Sequence, residues 1–286
     1  ITVLAASWGL SVVLSQARWG EEGRRLKILG TVIGFTLGGM VIGALRPTNT
    51  WDFYTYLVLA CAALAYSVFR NYQPRLKLNF RGSQSLEKAA VALIAVVALA
   101  TLALVFYQPF SDWFSQGYTQ IGIWEGNRTP LDSYFTHWGL LLFIIVSWMT
   151  WETYHWMKTT PASALSALTP YRGWITLILV LFLILMILFL VMGVPVGLIV
   201  LPLGLWVVVL MLRPDRSDAG RFHLFMIGTA LTLTLAVELV YLHGDIGRMN
   251  SVFKFYLQAW ILFALSAGVC FVWLLKSLRY WRKHLG

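Results

Sequence analysis

The chain has 286 residues, 59% of them hydrophobic and only 12% charged, with a mean hydropathy of +0.72. Soluble domains carry about a quarter charged residues, so this composition excludes an ordinary water-soluble globule. The formal charge of +10 does not mark a nucleic-acid binder, because in a membrane chain the placement of basic residues matters more than their sum.

A spanning helix needs about 20 predominantly apolar residues, and such runs fill most of the sequence. Nine can be drawn, over 1–16, 28–45, 54–69, 89–107, 137–156, 174–192, 196–212, 222–242 and 255–275. The fold class that follows is all-α, a polytopic transmembrane helix bundle of about nine spans in a single domain over 1–286. The chain opens on Ile1 already inside an apolar run, without the charged n-region or cleavage site of a signal peptide. It is therefore expected to be the C-terminal part of a longer protein.

Individual runs carry distinct signals. The second holds Gly30, Gly34 and Gly38, and Gly39 and Gly43, each set at four-residue spacing. Such glycines let a neighbouring helix approach closely, which predicts a central position. The sixth, WITLILVLFLILMILFLVM, has no small or polar stripe and is expected to face lipid or another subunit. Gly193-Val194-Pro195-Val196-Gly197 reads as a tight turn into the seventh, within which Pro202 should introduce a kink. Trp113, Trp124, Trp148, Trp151, Trp156 and Trp281 fall near the ends of runs, as an aromatic belt would. Cys61 and Cys270 lie inside apolar runs, outside any CxxC or metal-type spacing, and read as small packing residues.

The segments between runs alternate in charge. Eighteen of the 22 Lys and Arg fall on one side, leaving Arg46, Arg128, Arg248 and Lys254 on the other. The positive-inside rule makes the richer side cytoplasmic, so a multi-pass protein of the cell membrane with its C-terminus in the cytoplasm is expected. The basic loops would then meet anionic lipid.

Three polar stretches gather on the opposite, non-cytoplasmic side. They are Arg46 to Asp52, the long segment from Gln108 to Thr136 followed by His137, and Glu238 with His243 to Lys254. Their carboxylates, Asp52, Glu125, Asp132, Glu238 and Asp245, could bind a divalent cation or act as acid or base. Their cations could hold a phosphate, arginine being suited to bidentate contact. An ionisable group near hydrocarbon is costly, which singles out Glu238 and Lys254. Structural alternatives stand beside these: Arg46 and Asp52 as helix caps or a mutual pair, and Glu238 with Lys254 as an ion pair between two helices. Glu152 and His155, one turn apart, read as an interfacial pair or a proton relay. A Walker loop, a dinucleotide-binding glycine pattern and a clustered Cys/His metal site are all missing from the sequence.

The stretches GDIGRMNSVFKFYLQAW, NTWDFYTYLVLA and RTPLDSYFTHWGLLLF resemble segments of the YYY membrane protein family, large polytopic proteins of archaea and some bacteria. RMNSVFKFY is the most specific of these matches, and Ser251 stands where that family usually shows Thr. The resemblance implies kinship with GT-C glycosyltransferases, which move a sugar from a polyprenyl-phosphate carrier to an acceptor at the outer membrane face. It implies a GT-C-like portion and a substrate site drawn from Arg46, Asn49, Trp51, Asp52, Arg128, His137, Glu238, Arg248, Asn250 and Lys254. Asp245 joins them from the residue reading. The implied partners are membrane lipids, polyprenyl phosphate among them. GT-C enzymes carry their principal catalytic carboxylate in an N-terminal outer loop, so no catalytic residue is assigned here. The alternative is a non-catalytic integral subunit of a larger membrane complex.

Overall fold

In the computed structural model the described residues are all except 16–23, 75–82, 115–119, 244–245 and 286, with the side chains of 24–27, 165 and 278–285 also left aside. The chain is an all-α polytopic membrane bundle. Among the described residues eight helices are long and apolar enough to cross a membrane, and a ninth, Thr2–Leu14, is apolar but shorter. The nine apolar runs therefore each correspond to a helix. The packing divides into two compact units, residues 1–117 with 217–222, and residues 118–216 with 223–286.

The first unit holds α1 (Thr2–Leu14), α2 (Arg24–Gly43), the single turn α3 (Leu45–Thr48), α4 (Thr50–Asn71), α5 (Ser83–Val105) and the short α6 (Gln108–Trp113). Part of the glycine reading of α2 holds. A side chain at Gly38 would meet the Trp8 ring at 2.5 Å, and one at Gly43 would run into the Ala103 carbonyl and the Tyr107 ring. Gly30 and Gly34 instead have open space around them, although the Gly34 carbonyl accepts the Trp8 indole N–H at 2.9 Å. Ile28, Leu29, Val32, Ile33, Leu37 and Met40 are exposed, so α2 is gripped along one face and is not central.

The second unit holds β1 (Ile121–Ile123), α7 (Leu131–Thr159), a 3₁₀ stretch (Ala162–Tyr171), α8 (Arg172–Val191), α9 (Pro195–Leu212), most of α10 (Asp218–Leu239), β2 (Val240–Leu242) and α11 (Arg248–Leu285). Helix α7 starts after Pro130 with Asp132 in its first turn and Lys158 in its last, charges that suit the helix dipole. Helix α8 buries only Phe189, as its uniform sequence led us to expect. Gly193, at φ 64°, supplies the left-handed turn into α9, where Pro195 takes the first turn, in which a missing N–H costs nothing. Helix α9 continues past Pro202. The antiparallel pair β1–β2 sets Ile121 opposite Leu242 and Ile123 opposite Val240. The sequence reading had assigned residues 240–242 to the eighth span.

Two polar clusters mark the two ends of α7. At one end Thr129 meets Glu238. At the other Glu152 accepts from Arg216 at 2.6 Å and lies 3.5 Å from Arg213. Leu131 and Glu152 are about 30 Å apart along the helix axis, close to the thickness of a bilayer's hydrocarbon core. Glu152 thus pairs with arginines of the α9–α10 connection, while His155 stacks on Trp151. Trp148 is a further correction. It is buried, not part of a belt, and with Trp273 it flanks the Arg216 guanidinium at 4.9 and 5.7 Å. Burial lowers the affinity of Arg216 for its proton, and the nearby Glu152 opposes that effect.

Candidate functional site

The second unit assembles a polar cluster where α10 ends and α11 begins. Glu238 lies in the last turn of α10 with none of its surface exposed. A buried carboxylate persists as an ion only with partners around it, and three surround this one. Thr129 donates its backbone N–H at 3.0 Å and its hydroxyl at 2.6 Å, and Arg248 donates from Nη2. Arg128 donates to the Glu238 backbone carbonyl, one of the acceptors a helix C-terminus leaves without a helical partner.

Arg248 is held in place by several groups at once. Its Nε donates to the Val237 carbonyl at 2.9 Å, Nη1 to the Asn127 carbonyl at 2.9 Å, and Nη2 to the Thr129 hydroxyl at 3.1 Å as well as to Glu238. Its plane sits over the Trp124 ring at 5.4 Å, and the Trp124 indole N–H is fixed on the Asn127 carbonyl at 3.0 Å. Most of the five guanidinium donors are therefore committed within the protein. The β1–β2 pair makes this geometry possible, since it brings Trp124 beside Tyr241, with ring centroids 5.6 Å apart. Ser251 secures the ribbon by accepting the Leu242 N–H at 2.7 Å. A threonine hydroxyl could do the same.

The other candidates of this unit lie around the cluster. His137 is exposed and rests against Trp138 and Tyr256, at 4.4 and 5.6 Å. Asn250 and Lys254 are half-buried in the first turns of α11. Asp245 lies outside the described residues.

The remaining candidates belong to the first unit, and their geometry is local. Asn49 caps α4, and its amide donates to the Asp52 carboxylate at 2.8 Å. Asp52 is buried in the first turn of that helix, where an anion suits the dipole. Trp51 packs against Tyr54 at 5.7 Å, and Arg46 lies over the Phe53 ring at 5.6 Å. Among the described residues no group of three or more His, Cys, Asp or Glu forms a metal-binding cluster.

Sequence reasoning missed Trp124 and Thr129 as members of the cluster. Both sit inside the polar stretch it had singled out, and only the fold shows which of those residues turn toward Glu238. Residues 1–263 match the family described as Uncharacterized membrane protein (DUF2298). The chain belongs to that family. The match takes in every candidate named above. No curated protein and no solved structure matches the chain.

Proposed function

We propose that this chain is part of a membrane glycosyltransferase of GT-C type, drawing on a polyprenyl-phosphate-linked sugar at the non-cytoplasmic face. The observation that supports the reading is the cluster at the Arg248 end of the second unit. Arg248 donates to the buried Glu238 carboxylate and Arg128 to the backbone carbonyl of the same residue, which brings two guanidinium groups together at the end of two spans. Arg248 serves as the fixed member, its orientation set by Glu238 and Trp124. Arg128 and Lys254 are the members assigned to the phosphate. Glu238 serves to orient Arg248 and Thr129, whose donors converge on its carboxylate. The catalytic carboxylate is left unassigned.

The test uses the complete protein in vesicles supplied with a polyprenyl-phosphate sugar and an acceptor. Arg128→Ala combined with Lys254→Ala should weaken lipid-phosphate binding and abolish transfer while the protein still folds. Unchanged binding and transfer in that variant would defeat the reading. A second reading, a non-catalytic subunit of a larger complex, draws on α8, whose apolar surface is exposed along nearly all of its length. Purification of the complete protein as a lone, monodisperse species would count against it.

A further inference from the structure

At its Glu152 end the second unit gathers several buried polar atoms in one corner. His223, in the second turn of α10, is 3% exposed, Trp148 of α7 is 1% exposed, and Ser266 of α11 has no exposed surface. The His223 ring lies 5.0 Å from the rings of both Trp148 and Trp273, and the Arg216 guanidinium stands 4.9 Å from the Trp148 ring. Trp148 Nε1, Arg216 Nε, His223 Nδ1 and Ser266 Oγ are all buried, and none has a hydrogen-bond partner among the described residues. Buried polar groups are satisfied by protein or by ordered water in the great majority of cases. Four orphans on neighbouring side chains therefore point to a shared partner.

The chemistry of the four atoms decides what that partner is. His223 Nε2 lies 3.2 Å from the Ser266 backbone carbonyl. A carbonyl only accepts, so Nε2 carries the proton and Nδ1 is a bare acceptor. The Cys270 sulfur, 3.7 Å from Nε2, is a weaker second contact of the same N–H. Trp148 Nε1 and Arg216 Nε can only donate, and the Ser266 hydroxyl can donate or accept. An anion would take hydrogen bonds from the indole and the guanidinium but has no proton to offer Nδ1. A metal cation would suit Nδ1 but would face the Arg216 charge and two N–H groups. Water accepts from two donors and donates to two acceptors, which matches the set.

We infer that Trp148, Arg216, His223 and Ser266 form a buried binding site for water, filled by one molecule or a bridged pair. The site joins α7, the α9–α10 connection, α10 and α11 at one point. It carries the Glu152–Arg216 pair, whose carboxylate is 22% exposed, inward to the bare nitrogen of His223. It is independent of the transferase reading.

X-ray radiolysis with mass-spectrometric mapping tests it, because hydroxyl radicals form where water stands and react close by. The complete protein is irradiated in nanodiscs, and labelling rates are divided by the intrinsic reactivity of each side chain. We expect Trp148 and His223 to be oxidised despite their burial, and Phe263, which has no exposed surface and no polar atom, to stay unlabelled. His223→Met removes the acceptor and should abolish the label on Trp148. Ser266→Ala, a smaller change that keeps the backbone carbonyl, should lower it and serves as the test should the methionine variant not fold. Trp148 and His223 as unreactive as Phe263 in the parent would overturn the inference. So would a Trp148 label that neither substitution lowers. A chloride-dependent melting midpoint that is lost in Ser266→Ala would put an anion in the site and would equally overturn it.

Discussion

Arg248 and Glu238 stand ten positions apart, and the guanidinium of the first donates to the carboxylate of the second across the point where α10 gives way to β2. Glu238 is wholly buried, and the side chain of Arg248 is 13% exposed. The same guanidinium reaches the carbonyls of Val237 and Asn127. One side chain thus ties the end of α10, the start of α11 and the segment before α7 into one rigid corner.

Breaking that pair from one side leaves an uncompensated buried charge, which typically costs about 3–5 kcal/mol. Arg248→Ala should lower the thermal midpoint in detergent accordingly. The double variant Glu238→Met with Arg248→Met removes both charges and should recover much of the loss. If the single and double variants melt at the same temperature, the ion pair is not what holds the corner.

Helix α2 offers a comparison within one helix. At Gly43 an added methyl would run into the backbone carbonyl of Ala103, which cannot turn aside as a side chain could. Gly43→Ala is therefore expected to destabilise by about 1–3 kcal/mol, the usual cost of overpacking. Gly30 has nothing within 4 Å, so Gly30→Ala should stabilise by up to about 1 kcal/mol through helix propensity alone. Melting curves of the two variants should move in opposite directions.

The spans were legible because a run of about 20 apolar residues has few other uses. The polar stretch holding Arg128 and Thr129 was legible for the same reason, standing out against that background. What the sequence hid were partnerships. The sequence suggests an ion pair of Glu238 with Lys254, and spacing across a turn does not reveal that Arg248 meets its carboxylate. Residues 240–242 extend an apolar helix without a break in hydropathy, and it is pairing with Ile121–Ile123 that makes them a strand. Trp148 looked interfacial by its position in the run, yet it is buried among His223, Trp273 and Arg216.

Ser251 makes a narrower test of the β1–β2 ribbon. Its hydroxyl accepts the Leu242 N–H at a site with no exposed surface. Ser251→Ala would orphan that N–H, at a cost of about 1–3 kcal/mol, and amide exchange at Leu242 should speed up. Ser251→Thr retains the acceptor and should leave both exchange and melting close to the parent. Equal behaviour of the two variants would show that the hydroxyl is not what secures the ribbon.

The remaining prediction concerns orientation, which follows from the placement of Lys and Arg and not from the packing. Glu125 and Asp215 are both exposed, and they lie near the Thr129 and Glu152 ends of α7, about 30 Å apart along that helix. With Cys61 and Cys270 replaced by alanine, a single cysteine is introduced at either position. A membrane-impermeant maleimide added to intact cells should label Glu125→Cys. It should label Asp215→Cys only after the membrane is opened, because the arginine-rich α9–α10 connection is expected to stay in the cytoplasm. The reverse pattern would invert the topology and move the Arg248 cluster to the cytoplasmic face. Labelling of both from outside would mean that α7 does not cross the membrane.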